Sequence, residues 1–98
     1  MSVCDHLVAP ASQNLFSAAV IMSAPCQAQA ALPVAEARST DYAAGLGCAD
    51  NSSAAACLRS LPADRLREPV WFYRIGDDEL TGPVTDTAAL PDDPVAAI

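Results

Sequence analysis

His6 is the only histidine in the chain, and it is the first residue to test as a general base. An imidazole changes charge near neutral pH and can carry a proton between a nucleophile and a leaving group. Asp5 is its neighbour in sequence, but adjacent residues on a helix do not face each other, so Asp5 is not expected to orient the ring. No serine lies in a Gly-x-Ser-x-Gly setting, so none has the strained turn that exposes a nucleophilic hydroxyl. The four cysteines Cys4, Cys26, Cys48 and Cys57 lack C-x-x-C spacing, and with one histidine they do not spell a zinc site. Asp77-Asp78-Glu79 and Asp92-Asp93 supply hard oxygen donors without the spacing of a calcium loop, and read as solvated acidic loops. No catalytic, metal-binding or cofactor-binding residue is assigned from these side chains alone.

The elements that must position these residues are short. Prolines and glycines divide the chain. Met1–Ala9 reads as the end of a helix stopped by Pro10. Ala18-Ala19-Val20-Ile21-Met22 is an unbroken apolar run closed by Pro25. It fits a strand buried on both faces, as in a parallel sheet, with a short buried helix as the competing reading. Gln27–Leu46 is alanine-rich and helix-forming, with Gly45 and Gly47 as stops. Asn51 or Ser52 is placed to cap a helix running through Cys57 to about Ser60, and Pro62 and Asp64 suggest a further turn. Val70–Ile75 is the β-rich aromatic segment, and the chain from Gly76 onward is acidic, proline-rich and extended. These elements do not close into a domain: a parallel-type strand leaves N–H and C=O groups unpaired on both edges unless other strands flank it.

Composition narrows the function classes. The chain has 98 residues, room for one small domain at most. Its net charge is −7, lysine is absent, and the cations are Arg38, Arg59, Arg65, Arg67 and Arg74. Such a chain has no basic patch to neutralise phosphates, so nucleic acid and anionic lipid are not expected partners. No apolar run is long enough to span a bilayer. Ala18–Ala30 imitates a secretion signal, but Asp5 sits where a basic region should precede it, and the segment is not read as one. The compartment is left open.

Three ordered stretches carry a resemblance. Ser2-Val3-Cys4-Asp5-His6-Leu7-Val8-Ala9-Pro10 followed by Leu15-Phe16-Ser17-Ala18-Ala19-Val20-Ile21-Met22-Ser23 is similar to S-V-x-x-H-L-x-S-P … G-L-F-x-x-A-I-x-Q-S-G. Asn14 stands at the glycine before Leu-Phe, and Met22-Ser23-Ala24 at Gln-Ser-Gly. Gly47-Cys48 … Ala56-Cys57-Leu58-Arg59-Ser60-Leu61-Pro62-Ala63 is similar to G-C … x-C-L-R-x-x-P-A. Gly82-Pro83-Val84-Thr85-Asp86-Thr87 … Leu90-Pro91-Asp92-Asp93-Pro94 resembles P-V-V-D-G-x-x-L-P-x-x-P. Thr87 occupies the usual glycine, so the tight turn there is not expected in its family form. Together these motifs resemble the type-B carboxylesterases, the cholinesterase-like and para-nitrobenzyl-esterase-like branch of the α/β-hydrolases, over nearly the whole chain.

The resemblance implies a partial α/β-hydrolase fold for residues 1–98, mostly helix and coil with one or two strands of a parent sheet. It implies a parent enzyme that hydrolyses small carboxylic esters through a serine acyl-enzyme, with no metal or cofactor. In the family the Gly-Glu-Ser-Ala-Gly elbow immediately precedes the first helix. Met1 then falls inside that helix turn as an internal methionine, and the serine, acid, histidine and oxyanion donors are expected outside this segment. His6 matches the family's structural histidine, not its catalytic one. Cys48 and Cys57 match a pair that forms a disulfide in many members; two free thiols in a reducing compartment are the alternative. Cys4 and Cys26 are read as buried small apolar residues. Trp71-Phe72-Tyr73 could line an acyl pocket of the parent or simply pack. The expected function is a fragment of a carboxylic ester hydrolase, inactive alone, or alternatively a non-catalytic remnant that binds a complementary esterase piece.

Overall fold

The computed structural model describes residues 2–67 and 82–98. Helix α1 spans Ser2–Val8. Ala9 N–H still donates to Asp5 C=O at 2.9 Å, but Pro10 has no N–H to continue, and the chain makes one 3₁₀ turn over Pro10–Ser12. Asn14 follows at φ 65°, in the left-handed region. Asparagine is one of the few residues besides glycine that visits this region routinely. The residue that stands at the glycine of the motif therefore keeps a conformation suited to glycine.

Between Ala18 and Met22 the structure departs from the expected buried strand. The run has no regular structure and is exposed throughout. Val20 and Met22 are 78% and 83% exposed, and Leu15 just before them 76%. The competing short helix does not form either. The reason is the absence of neighbours: a strand buried on both faces needs a strand on each edge and cover above and below. Among the described residues the sheet consists of two strands, each two residues long, and neither adjoins this run.

Those strands are β1 (Ala30–Ala31) and β2 (Val84–Thr85). They pair in parallel, with Ala30 opposite Val84 and Ala31 opposite Thr85. Ala30 N–H donates to Pro83 C=O, and the Thr85 hydroxyl donates to Ala30 C=O at 3.4 Å. Beyond β2, Asp86 takes φ 62° and carries the left-handed position of the turn. Thr87 closes it: its N–H donates to Leu90 C=O, its hydroxyl donates to Val84 C=O, and the same oxygen accepts Leu90 N–H. The turn expected to lose its family form at Thr87 is thus closed by the threonine hydroxyl.

Helix α2 covers Leu32–Gly45, starting later than the expected Gln27. Pro33 sets the start, because proline is accommodated in the first helical turn but has no N–H to bond back to a preceding turn. Residues 28–31 consequently enter the sheet region as extended chain. At the other end Leu46 caps the helix and Gly47 takes φ +85°. Gly47 N–H donates to Ala44 C=O and Cys48 N–H to Ala43 C=O at 2.8 Å. These are the two bonds of a Schellman motif, which satisfies carbonyls left unpaired at a helix end. A Cβ at Gly47 would meet nothing within 4 Å, so only its backbone conformation requires glycine.

Helix α3 runs Ala54–Ser60, and a 3₁₀ turn spans Arg65–Arg67. Tyr42 of α2 donates its hydroxyl to Leu66 C=O at 3.1 Å, which ties that turn to α2. Helix α4 is Pro94–Ala97; Asp93 Oδ1 accepts Val95 N–H at 2.7 Å and Ala96 N–H at 3.4 Å. Its Pro94 is fully buried, and α4 packs on α1. The segments Val70–Ile75 and Asp77-Asp78-Glu79 lie outside the described residues.

Among the described residues the buried apolar side chains are Cys4, Ala28, Ala30, Ala43, Cys48, Leu90 and Pro94. Only Leu90 is large. Alanine removes little area from water, so this core contributes little by burial. Two disulfides supplement it. Cys48–Cys57 links the end of α2 to α3 with Cα atoms 5.7 Å apart. Cys4–Cys26 links α1 to the loop before β1 with Cα atoms 5.5 Å apart. The latter corrects the reading of these two as separate apolar residues: Pro10 and Pro25 turn the chain so that positions 22 apart meet.

Chain entropy ranks the two links. Closing the longer Cys4–Cys26 loop contributes about 3.4 kcal/mol, against about 2.7 kcal/mol for the Cys48–Cys57 loop. Paired Cys→Ala replacement of Cys4 and Cys26 is expected to lower the urea midpoint more than the same replacement of Cys48 and Cys57. The reverse order would show that loop closure does not control their contributions.

Candidate functional site

The residues with chemical potential gather around the junction of α1 and its 3₁₀ turn. Pro10 bends the chain, so the turn brings Ser12 back beneath His6. His6 Nδ1 and Ser12 Oγ hydrogen-bond at 2.7 Å. Ser12 is 5% exposed while the imidazole lies at the surface. The pair borders an open apolar groove of about 450 Å³ lined by Val3, Leu15, Phe16, Ala18 and Val20. Sequence reasoning did not find this pair. Its signal was a histidine and a serine six apart with a proline between them, which is too common a pattern to single out.

Asp5 does not complete a relay. Its Oδ1 accepts a hydrogen bond from Gln29 Nε2 at 2.7 Å, 24 residues along the chain. This contact runs parallel to the Cys4–Cys26 link, and both tie α1 to the segment entering β1. Gln29 Oε1 is buried there without a hydrogen-bond partner among the described residues. The arrangement gives a Ser–His contact whose nearest carboxylate in sequence is held by an amide from elsewhere. Such a contact fixes ring and hydroxyl orientation; nucleophilic catalysis further needs donors aimed at a developing oxyanion.

Among the described residues no group of three or more His, Cys, Asp or Glu could hold a metal ion. Asp93 serves α4 as its cap. Trp71-Phe72-Tyr73 lies outside the described residues. Among the described residues, no helix is long and apolar enough to cross a membrane.

The carboxylesterase family matches residues 1–98. Cholinesterase 2 of Branchiostoma lanceolatum is 38% identical over 76 residues, 71% of this chain and 23% of that protein. The chain therefore spans about a quarter of the length of the curated relative it matches. No solved structure matches the chain.

The second polar cluster lies between the cystine halves of the α2–α3 connection. Asn51 or Ser52 was expected to cap α3, but the cap position is Ser53, whose side chain makes no capping bond. Asp50 organises the turn instead. Its Oδ1 accepts the Ser52 hydroxyl at 2.7 Å and the Ser52 N–H at 2.9 Å. The hydroxyl bond first, and the backbone bond second, hold the Asp50 carboxyl below its ordinary value. A depressed folded-state value means the carboxylate favours the folded turn above the unfolded value, and this preference is lost as pH falls through the folded value. In Ser52→Ala the main cause disappears, so the Asp50 carboxyl titration followed by NMR should move up toward the ordinary aspartate range. An unchanged titration would show that the hydroxyl bond is not formed in solution.

Proposed function

The chain belongs to the carboxylesterase family, and from that membership we propose that it is a structural piece of a type-B carboxylic ester hydrolase that does not turn over ester by itself. The family implies the α/β-hydrolase fold, and the described residues are mostly helix and coil with a two-stranded parallel sheet. Within such an enzyme this segment supplies scaffold. Helix α1 is the helix after the nucleophile turn, Ala18–Met22 is a strand of the parent sheet, and α2 and α3 form a helical wall. The parent substrates are small carboxylic esters.

One observation carries this reading: Leu15, Val20 and Met22 are more than three-quarters exposed in a run whose composition belongs in a core. Burying three such side chains stabilises by about 5–9 kcal/mol. That is comparable to the whole stability of an ordinary domain. An apolar edge of this kind fits flanking strands better than water. The second reading, a remnant that binds a complementary esterase piece, draws on the same edge, because exposed strand-forming backbone can accept an added strand.

Hydrolysis requires an attacking hydroxyl, its base and oxyanion donors held together. His6 and Ser12 touch, but Asp5 is engaged by Gln29, and the pair is assigned a structural role. The purified chain is expected to release p-nitrophenol from a p-nitrophenyl ester no faster than buffer. Mixing it with a separately made piece carrying a Gly-Glu-Ser-Ala-Gly elbow distinguishes the two readings, since only a binding remnant co-elutes with that piece. Turnover by the chain alone that disappears in His6→Ala would overturn the structural assignment.

A further inference from the structure

The loop closed by Cys4–Cys26 presents an apolar face that carries no charge. From Leu7 to Ala35 the sequence has no Asp, Glu, Lys, Arg or His, so every charge behind the net −7 lies elsewhere in the chain. Within that stretch Leu15–Ala24 also lacks proline and glycine. Charged side chains and prolines are the usual devices that stop an exposed, strand-forming edge from pairing with another chain. This run has neither.

The geometry holds the run ready for a partner. Asn14 and Ser23, at φ 65° and 54°, bend the chain at its two ends, and the Cys4–Cys26 link ties the loop together. Among the described residues Phe16–Met22 makes no backbone hydrogen bond, and Leu15, Val20 and Met22 are the most exposed large apolar side chains. Beside them lies the open groove lined by Val3, Leu15, Phe16 and Val20, with no carboxylate or guanidinium among its described walls. Two copies of a chain at −7 repel each other over charged surface. On this face they meet without bringing like charges together. Identical runs related by a two-fold axis lie antiparallel, an arrangement in which strands exchange backbone hydrogen bonds directly. Such pairing satisfies the backbone and covers the apolar side chains of both copies at once.

We propose that this face is a self-association surface, on which a second copy of the chain docks with its own Ala18–Met22 antiparallel to that of the first. One run and one groove make a small interface, and the dimer exchanges with monomer. This docking does not depend on the esterase reading.

The test is sedimentation equilibrium of the purified, oxidised full chain over a dilution series, with amide hydrogen exchange measured at both ends of the series. A monomer–dimer equilibrium is expected, with the amides of Ala18–Met22 protected when concentrated and unprotected when dilute. Val20→Lys alters a side chain already in water, so far-ultraviolet circular dichroism should not change. It sets two like charges together across the axis and should weaken the dimer about 100-fold. Ile98→Lys, similarly exposed but outside the run, should leave the dimer as it is. A wild-type chain that stays monomeric at every concentration would overturn the proposal. Protection of the run that persists on dilution would do the same, by assigning its cover to another segment of the same chain. A dimer indifferent to Val20→Lys, or growth past two copies into fibres, would also refute it. A chain that is monomeric alone yet co-elutes with the elbow-bearing piece would sink self-association and leave the esterase reading standing.

Discussion

Among the described residues the backbone of Ala18–Met22 has no partner, and this constraint bears on the rest of the described structure. Every N–H and C=O carried out of water needs a hydrogen bond. Helices meet the demand locally, and α1, α2, α3 and α4 all form. A strand meets it only through another strand. Among the described residues each strand of the sheet is two residues long, and the run best suited to a sheet is exposed. Among the described residues, Leu15, Val20 and Met22 lie outside and the buried apolar side chains are alanines, cysteines, Leu90 and Pro94.

Covalent and polar links stand where burial is weak. Cys4–Cys26 and the Gln29–Asp5 hydrogen bond fix α1 to the segment entering β1 from two neighbouring positions. Cys48–Cys57 fixes α3 to the Schellman end of α2. In both cases the link joins a helix to the next ordered piece across a connection with few large side chains. The loop between Cys4 and Cys26 contains the exposed run, so its ends are held while its middle is not.

Local features of the fold were legible in the sequence because their causes are local. Pro10 ends α1 and Gly47 ends α2 by chemistry contained in single residues. The start of α2 was placed too early because alanine-rich residues 27–31 favour helix, yet Pro33 imposes the boundary from the C-terminal side. The cap of α3 was placed one or two residues early because Asp50 takes the Ser52 groups that would otherwise have capped the helix. Non-local features were less legible. The Cys4–Cys26 pairing depends on two proline bends acting together. The buried strand was read correctly as a composition and wrongly as a conformation, because composition records the surroundings a segment suits and conformation needs those surroundings to be present.

The same distinction applies to function in this chain. The family resemblance rests on side chains such as His6, Leu58 and Arg59, whose value in an esterase comes from groups on other segments. Here His6 hydrogen-bonds Ser12, and Asp5 accepts a hydrogen bond from Gln29. The Asp50–Ser53 turn is different: its geometry is complete within a few residues and is closed by its own disulfide. Chemistry that needs several separated groups brought to one point depends on neighbouring segments in the same way that a strand at Ala18–Met22 does.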